Sequence, residues 1–280
     1  MRLRAEMSAA ADPAKAPGMQ AYMKSTMPYY GINSPDVKAI CTKVFADHPF
    51  PSCGEWRAAI LELWRGAHYR EERYAAMRLI ALKRHRECVT PELMPMLEEM
   101  IVTGAWWDYV DELAHVVGDL LHSHRKEMRP IMRAWSQDPN LWKRRVSIIC
   151  QILFKRDTDL ELLYANIKPN LADRDFFIRK AIGWALRAYA WTDPKEVARY
   201  VQEHEGELSG LSRREALKNM KARPETLGER FGDPGGSDPG EATSSAARAS
   251  RMRKRAAQEL NPEMGRLGAE DPSSAFRSRL

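Results

Sequence analysis

Three short segments carry residue types and spacings suited to chemistry. In GAWWDYVDELAHVV, Trp107 and Asp111 stand four apart, so a helix places them on one face one turn apart. An indole face and a carboxylate both attract positive charge, which makes this pair suited to a bound cation. The alternative is a core tryptophan beside an aspartate that caps or pairs elsewhere. In DPNLWKRRVSIICQILF, Trp142, Arg145 and Ile149 share a face, with Lys143 and Arg144 alongside. An arginine projecting from the start of such a helix can hold a backbone phosphate through a bidentate contact. A solvated or ion-paired arginine is the competing reading. In DRDFFIRKAIGWALRAYAWTDP, Phe177, Lys180, Trp184, Arg187 and Trp191 recur at helical spacing. Cations alternating with large aromatics on one face suit a nucleic-acid groove, with the opposite side (Ile178, Ala181, Ile182, Ala185, Tyr189) left for the core.

The elements that must position these residues read as helices throughout residues 13–226. Apolar residues recur at three- and four-residue spacing in CGEWRAAILELWRG, HYREERYAAMRLIALKRH, TPELMPMLEEMIVTG and FFIRKAIGWALRAYA. Short stops such as HPFPS, VTPE, SQDPN, LADRD and WTDP separate them, and strand signals are nearly absent. Ser34, Thr90 and Asp138, each directly before a proline, are expected helix caps. Helix pairs recur at a period of roughly 35–45 residues, as in HEAT-like or armadillo-type stacking. The expected fold is therefore an all-α helical-repeat solenoid whose concave side forms a binding groove. A globular bundle is the alternative, disfavoured because the helices are short and lack long heptads.

Both ends differ from this frame. Residues 1–12 carry little pattern, with Met7 a conceivable second start, and are expected to be a flexible N-terminus. Residues 227–280 are rich in Gly, Pro, Ser and Arg without apolar periodicity, and are expected to form a disordered tail. Arg248, Arg251, Arg253, Lys254 and Arg255 make a local basic cluster there. The net charge of +6 is compatible with a polyanionic partner without requiring one. No apolar run is long enough to span a membrane and no signal-peptide block opens the chain, which predicts a cytoplasmic protein. Cys41, Cys53, Cys88 and Cys150 are widely spaced, so buried free thiols are expected rather than a zinc site or a disulfide framework. Neither a metal nor a cofactor is expected.

Taken in order, WWDxVD, WxxR and FFIxKAIGWxLRxYA closely resemble the DNA alkylation repair glycosylases of the AlkD type. The resemblance extends to AYMKSTMPYYGINSPDVKAI and to LSRREALKNM, and so covers about residues 13–222. It implies a monofunctional glycosylase that removes cationic N3- and N7-alkylated purines from double-stranded DNA, without flipping the base into a pocket. Trp107, Asp111 and Trp184 would then form the catalytic cleft, with Asp111 stabilising the oxocarbenium-like sugar and positioning the attacking water between the two tryptophans. Arg145 would grip the backbone, Tyr22 would lie beside the lesion, and Lys180 and Arg187 would contact phosphates, with Phe177 on the same DNA-facing surface. A first helix that packs over DNA in this family is expected to be truncated or poorly formed. A monomer is the simpler expectation. The reading from another class is a silent repeat module that binds DNA or a protein through the same groove. Asp111 discriminates, because a groove that only binds phosphates gains nothing from a carboxylate.

Overall fold

A computed structural model describes residues 2–218 and residue 220. Among them are thirteen α-helices. They are α1 (Arg2–Ala9), α2 (Ala16–Tyr22), α3 (Ser34–Ala46), α4 (Cys53–Arg65), α5 (Arg70–Ile80), α6 (Met94–Gly104) and α7 (Trp107–Ser123), followed by α8 (Arg125–Trp135), α9 (Leu141–Ile149), α10 (Leu160–Ile167), α11 (Phe176–Tyr189), α12 (Pro194–Glu203) and α13 (Gly210–Ala216). The described residues contain no strand. The expected tail and its basic cluster lie outside the described residues.

The fold is an all-α helical repeat. The odd-numbered helices pack in succession, α1 on α3, α3 on α5, and so on to α13. Helices α4, α6, α8, α10 and α12 pack against this row and connect its members. Their shared layer is apolar: Trp56, Ile60, Leu97, Leu113, Val117, Met128, Met132, Val146 and Ile182 are all essentially inaccessible. Two glycines set the spacing within the odd-numbered row. A Cβ at Gly118 would run into the Cys150 carbonyl, and one at Gly183 would meet Glu215 and Ser212. Only glycine allows α7 to approach α9, and α11 to approach α13, this closely.

Helix starts follow cap chemistry, displaced by a residue or two from the sequence reading. Asn33 rather than Ser34 accepts the Asp36 N–H at the head of α3. Asn140 rather than Asp138 caps α9, while Asp138 accepts the Asn140 N–H in the preceding turn. Thr90 precedes a short 3-10 turn and makes no side-chain cap bond.

Residues 2–12 depart from the flexible segment expected of residues 1–12. Arg2–Ala9 is helical, and Leu3 and Met7 are buried against α3. Glu6 pairs with Lys43 at 2.8 Å, and Arg4 bonds to Glu72 and to the Gly66 carbonyl. The helix escapes a periodicity search because two apolar contacts and ion pairs from distant residues hold it. A first helix is therefore formed over Arg2–Ala9.

The cysteines also need correction. Cys53 and Cys88 form a disulfide, while Cys41 and Cys150 are buried free thiols. Because α4 and α5 pack side by side, the start of α4 meets the end of the 3-10 turn Lys83–Cys88, across 35 residues of sequence. Closing a loop of that length is worth about 2–4 kcal/mol. Cys53→Ser should accordingly lower the melting temperature under oxidising conditions and have no effect once a thiol reductant is present. No described helix is long and apolar enough to cross a membrane.

Candidate DNA-repair site

The heads of α7, α9 and α11 bring the chemistry-bearing residues together. Trp107 opens α7, and Asp111 follows one turn later on the same face. Arg145 lies in the second turn of α9, with its guanidinium turned onto Asp111: Nε donates to Oδ1 at 2.7 Å and Nη2 to Oδ2 at 2.9 Å. Its Nη1 donates to the Phe177 carbonyl at 2.6 Å, which ties α9 to the start of α11. Its guanidinium carbon also lies 5.9 Å from the ring centres of both Phe177 and Trp184. Asp111 and Arg145 are only 5% and 2% exposed, so this is a buried ion pair packed against aromatic rings.

Arg145 therefore does not project outward as the sequence pattern suggested. Three of its five N–H groups are committed within the protein, leaving one on Nη1 and one on Nη2. Trp106, Trp142 and Phe177 form a cluster with ring centres 5.0–6.3 Å apart beside this pair. The buried Nε1–H groups of Trp106 and Trp107 have no acceptor among the described residues. Leaving such a group buried without a partner costs roughly 1–3 kcal/mol.

The expected aromatic–cationic face of α11 is assembled differently. Lys180 is buried and pairs with Glu215 at 2.9 Å, and Arg187 reaches the same carboxylate at 2.7 Å. A buried face does hold these two cations, because α13 supplies the counter-charge across the Gly183 contact. Trp184 is buried, Phe177 half-buried, and Trp191 lies beyond the helix end, more than half exposed. Lys143 and Arg144 are likewise engaged, the first by Glu98 and Asp138 and the second by Asp173.

Tyr22 closes α2 and is partly exposed. The loop that follows it is fastened to α5. Glu71, wholly buried, accepts the backbone N–H groups of Tyr30, Gly31 and Ile32, and Glu72 accepts the Tyr30 hydroxyl. Arg70 donates to Ser25 in that loop and to both oxygens of Asp108, at 2.6 and 2.7 Å. Tyr74 donates to Asp108 as well, and its hydroxyl meets that of Tyr29. Burial opposes the charge on Arg70, yet Asp108 and the surrounding tyrosines carry its pKa above the usual value; burial also pushes Tyr29 up to about 12. Because Asp108 directly follows Trp107, this network links the Tyr22 loop to the head of α7.

The sequence reading missed Arg70, Glu71, Asp108 and Glu215, whose partners are distant in sequence. Among the described residues, the one cluster of metal-ligand types is His85, Glu87 and Cys88. Cys88 is committed to the disulfide and His85 Nε2 faces Arg84, so these residues do not fit a metal in this state.

The chain belongs to the DNA alkylation repair enzyme family, whose model matches residues 3–220. It is similar to a solved structure described as a predicted DNA alkylation repair enzyme from Enterococcus faecalis, at 31% identity and a TM-score of 0.67. That match covers 74% of this chain and 95% of the other. No curated protein matches the chain.

Proposed function

We propose that this DNA repair protein is a monofunctional glycosylase that hydrolyses the N-glycosidic bond of cationic N3- or N7-alkylated purines in double-stranded DNA. The observation that carries the proposal is the buried Asp111 carboxylate, one turn from Trp107 and fixed in orientation by Arg145. An alkylated purine of this kind already bears positive charge, so its departure needs no proton from the protein. What remains is to stabilise the oxocarbenium-like sugar and to place a water. Asp111 serves both tasks, supplying negative charge for the first and positioning the water between Trp107 and Trp184 for the second. Trp107 and Trp184 add cation–π attraction worth roughly 0.5–2 kcal/mol each. Neutral lesions gain little from such a site, which accounts for the expected selectivity.

Binding is assigned to the cations and aromatics around that centre. The two uncommitted N–H groups of Arg145 are what it offers a phosphate, which would draw the guanidinium partly away from Asp111. Arg187 is better placed than the more deeply buried Lys180 to meet the backbone, while Tyr22 and Phe177 lie beside the lesion in this reading. The protein acts as a monomer in the cytoplasm, without metal or cofactor. Release of 7-methylguanine or 3-methyladenine from DNA treated with a methylating agent tests the proposal. If no modified base is freed above the spontaneous background, the glycosylase assignment fails and the silent binding module takes its place.

A further inference from the structure

Cys41 and Cys150 are 3% and 2% exposed, and burial pushes both thiols up to about 12, which leaves them inert. The Cys53–Cys88 pair is built differently. Cys53 is the first residue of α4 and is half-buried, and Ser52 caps that helix by accepting the Glu55 N–H. The unpaired N–H groups and partial positive charge of a helix start favour a thiolate placed there. Arg57 adds a cation one turn on, its Nε donating to the Cys53 carbonyl at 3.3 Å. Cys88 is 5% exposed, and a Glu87 carboxylate oxygen lies 3.9 Å from its sulfur. Burial and a neighbouring negative charge both oppose a thiolate at Cys88. Once the bond is open, one sulfur is therefore nucleophilic and the other stays protonated beside an acceptor.

Contacts other than the bond itself hold the pair together. Trp56, three residues after Cys53, donates its indole N–H to the Leu79 carbonyl near the end of α5 at 3.2 Å. In the 3-10 turn that ends at Cys88, Arg84 donates to the Phe45, Ala46 and His48 carbonyls at the end of α3. The His85 imidazole of that turn lies 5.5 and 5.8 Å from the rings of Phe50 and Trp56. These contacts survive reduction, so the two sulfurs stay adjacent and closure needs no rearrangement of α4 or the turn. A protein that repairs DNA works where the thiol pool keeps cysteines reduced, and disulfides formed there are typically transient and redox-sensing.

We propose that Cys53 and Cys88 form a reversible thiol site for hydroperoxides, with Cys53 as the attacking thiolate and Cys88 as the resolving thiol. The site is independent of the glycosylase reading. In the first step the Cys53 sulfur attacks a peroxide oxygen, the O–O bond breaks, and the leaving hydroxide takes a proton from solvent. Cys53 becomes a sulfenic acid and the peroxide is reduced to water. In the second step the Cys88 sulfur attacks the Cys53 sulfur and its proton passes to Glu87. The S–O bond breaks, and the departing hydroxide recovers that proton as a second water. Two thiols have then given two electrons to one peroxide, and a dithiol reductant returns them by thiol–disulfide exchange. Neither cysteine lies on α7, α9 or α11, so oxidation staples α4 to the turn and leaves the reacting centre alone.

The test uses the full chain, reduced with a dithiol, freed of reductant and treated with hydrogen peroxide at neutral pH. One equivalent should take the thiol count from four to two, leaving Cys41 and Cys150 free and Cys53 bridged to Cys88 by peptide mapping. Dithiothreitol should restore all four thiols in the native protein. In Cys88→Ser the reaction should stop at a sulfenic acid on Cys53, trapped by dimedone. Cys53→Ser should consume peroxide roughly 10-fold more slowly than Cys88→Ser, as expected of a thiol in place of a thiolate. Both variants should melt with the reduced wild type, which excludes a folding defect. Iodoacetamide labelling of the reduced wild type needs no variant: Cys53 should react first, with a midpoint below the ordinary thiol value of about 8.5. Equal peroxide rates in the two variants, or a Cys53 midpoint at or above that value, would overturn the division of roles. A bridge that dithiothreitol cannot open in the native protein would make the pair a permanent staple. A bridge that forms no faster than Cys41 and Cys150 are oxidised would remove the hydroperoxide site.

Discussion

Asp111→Asn is expected to slow release of cationic alkylpurines by about 10²–10³-fold, the scale of losing one preorganised electrostatic contact to a developing charge. The loss should appear in the single-turnover rate more than in affinity for undamaged DNA, because the carboxylate repels phosphates and contributes nothing to backbone binding. The structure adds a second consequence. Arg145 is 2% exposed, and its Nε and Nη2 both donate to Asp111. Removing the negative partner strands a buried guanidinium, and breaking such a pair costs about 3–5 kcal/mol of stability. Activity and melting must therefore be measured together. Exchanging both partners for apolar groups, as in Asp111→Leu with Arg145→Met, should recover much of the stability, because a buried ion pair replaced in this way is often nearly neutral. It should recover none of the activity. A double variant that regained base release would show that Asp111 matters only for folding; an Asp111→Asn protein of full activity would remove the carboxylate from the chemistry altogether.

What the sequence disclosed about this site follows from the range over which side chains interact. Trp107 and Asp111 could be paired from spacing alone, because one helix supplies both. The helical-repeat class was legible for the same reason, each helix writing its buried stripe at three- and four-residue intervals. Contacts across helices were not. The Asp111–Arg145 bond joins residues 34 apart, and spacing could not show that the arginine turns inward to a carboxylate rather than outward to a phosphate. Lys180 and Arg187 were read as groove cations because Glu215, 28 residues beyond Arg187, left no mark on their own helix. The Cys53–Cys88 disulfide and the docking of α1 were hidden in the same way.

Glu71→Ala is expected to be among the most destabilising substitutions outside the apolar core, although Glu71 lies in none of the three chemistry-bearing segments. Its Oε1 accepts from Gly31 and Ile32 and its Oε2 from Tyr30, at 3.0–3.2 Å, and the side chain is wholly buried. Truncation leaves three backbone N–H groups without an acceptor where water does not reach. Each orphan costs roughly 1–3 kcal/mol, so a total of about 3–5 kcal/mol is expected after partial relaxation. Glu71→Gln should cost less, because its amide oxygen can still serve two of the three donors, but its NH₂ would oppose the remaining one. Gly31 gives the loop no easy alternative, since its φ of 88° and its contact with Asp12 fix a conformation other residues rarely adopt. The loop that comes loose is the one leading from Tyr22, whereas Asp111, Arg145 and Trp184 are held by α7, α9 and α11. Glu71→Gln should therefore need more enzyme to saturate single-turnover base release while keeping the saturated rate near that of wild type. A reduced saturated rate with unchanged half-saturation would mean that the loop shapes the reacting centre rather than the grip on DNA, and would transfer Tyr22 from binding to chemistry.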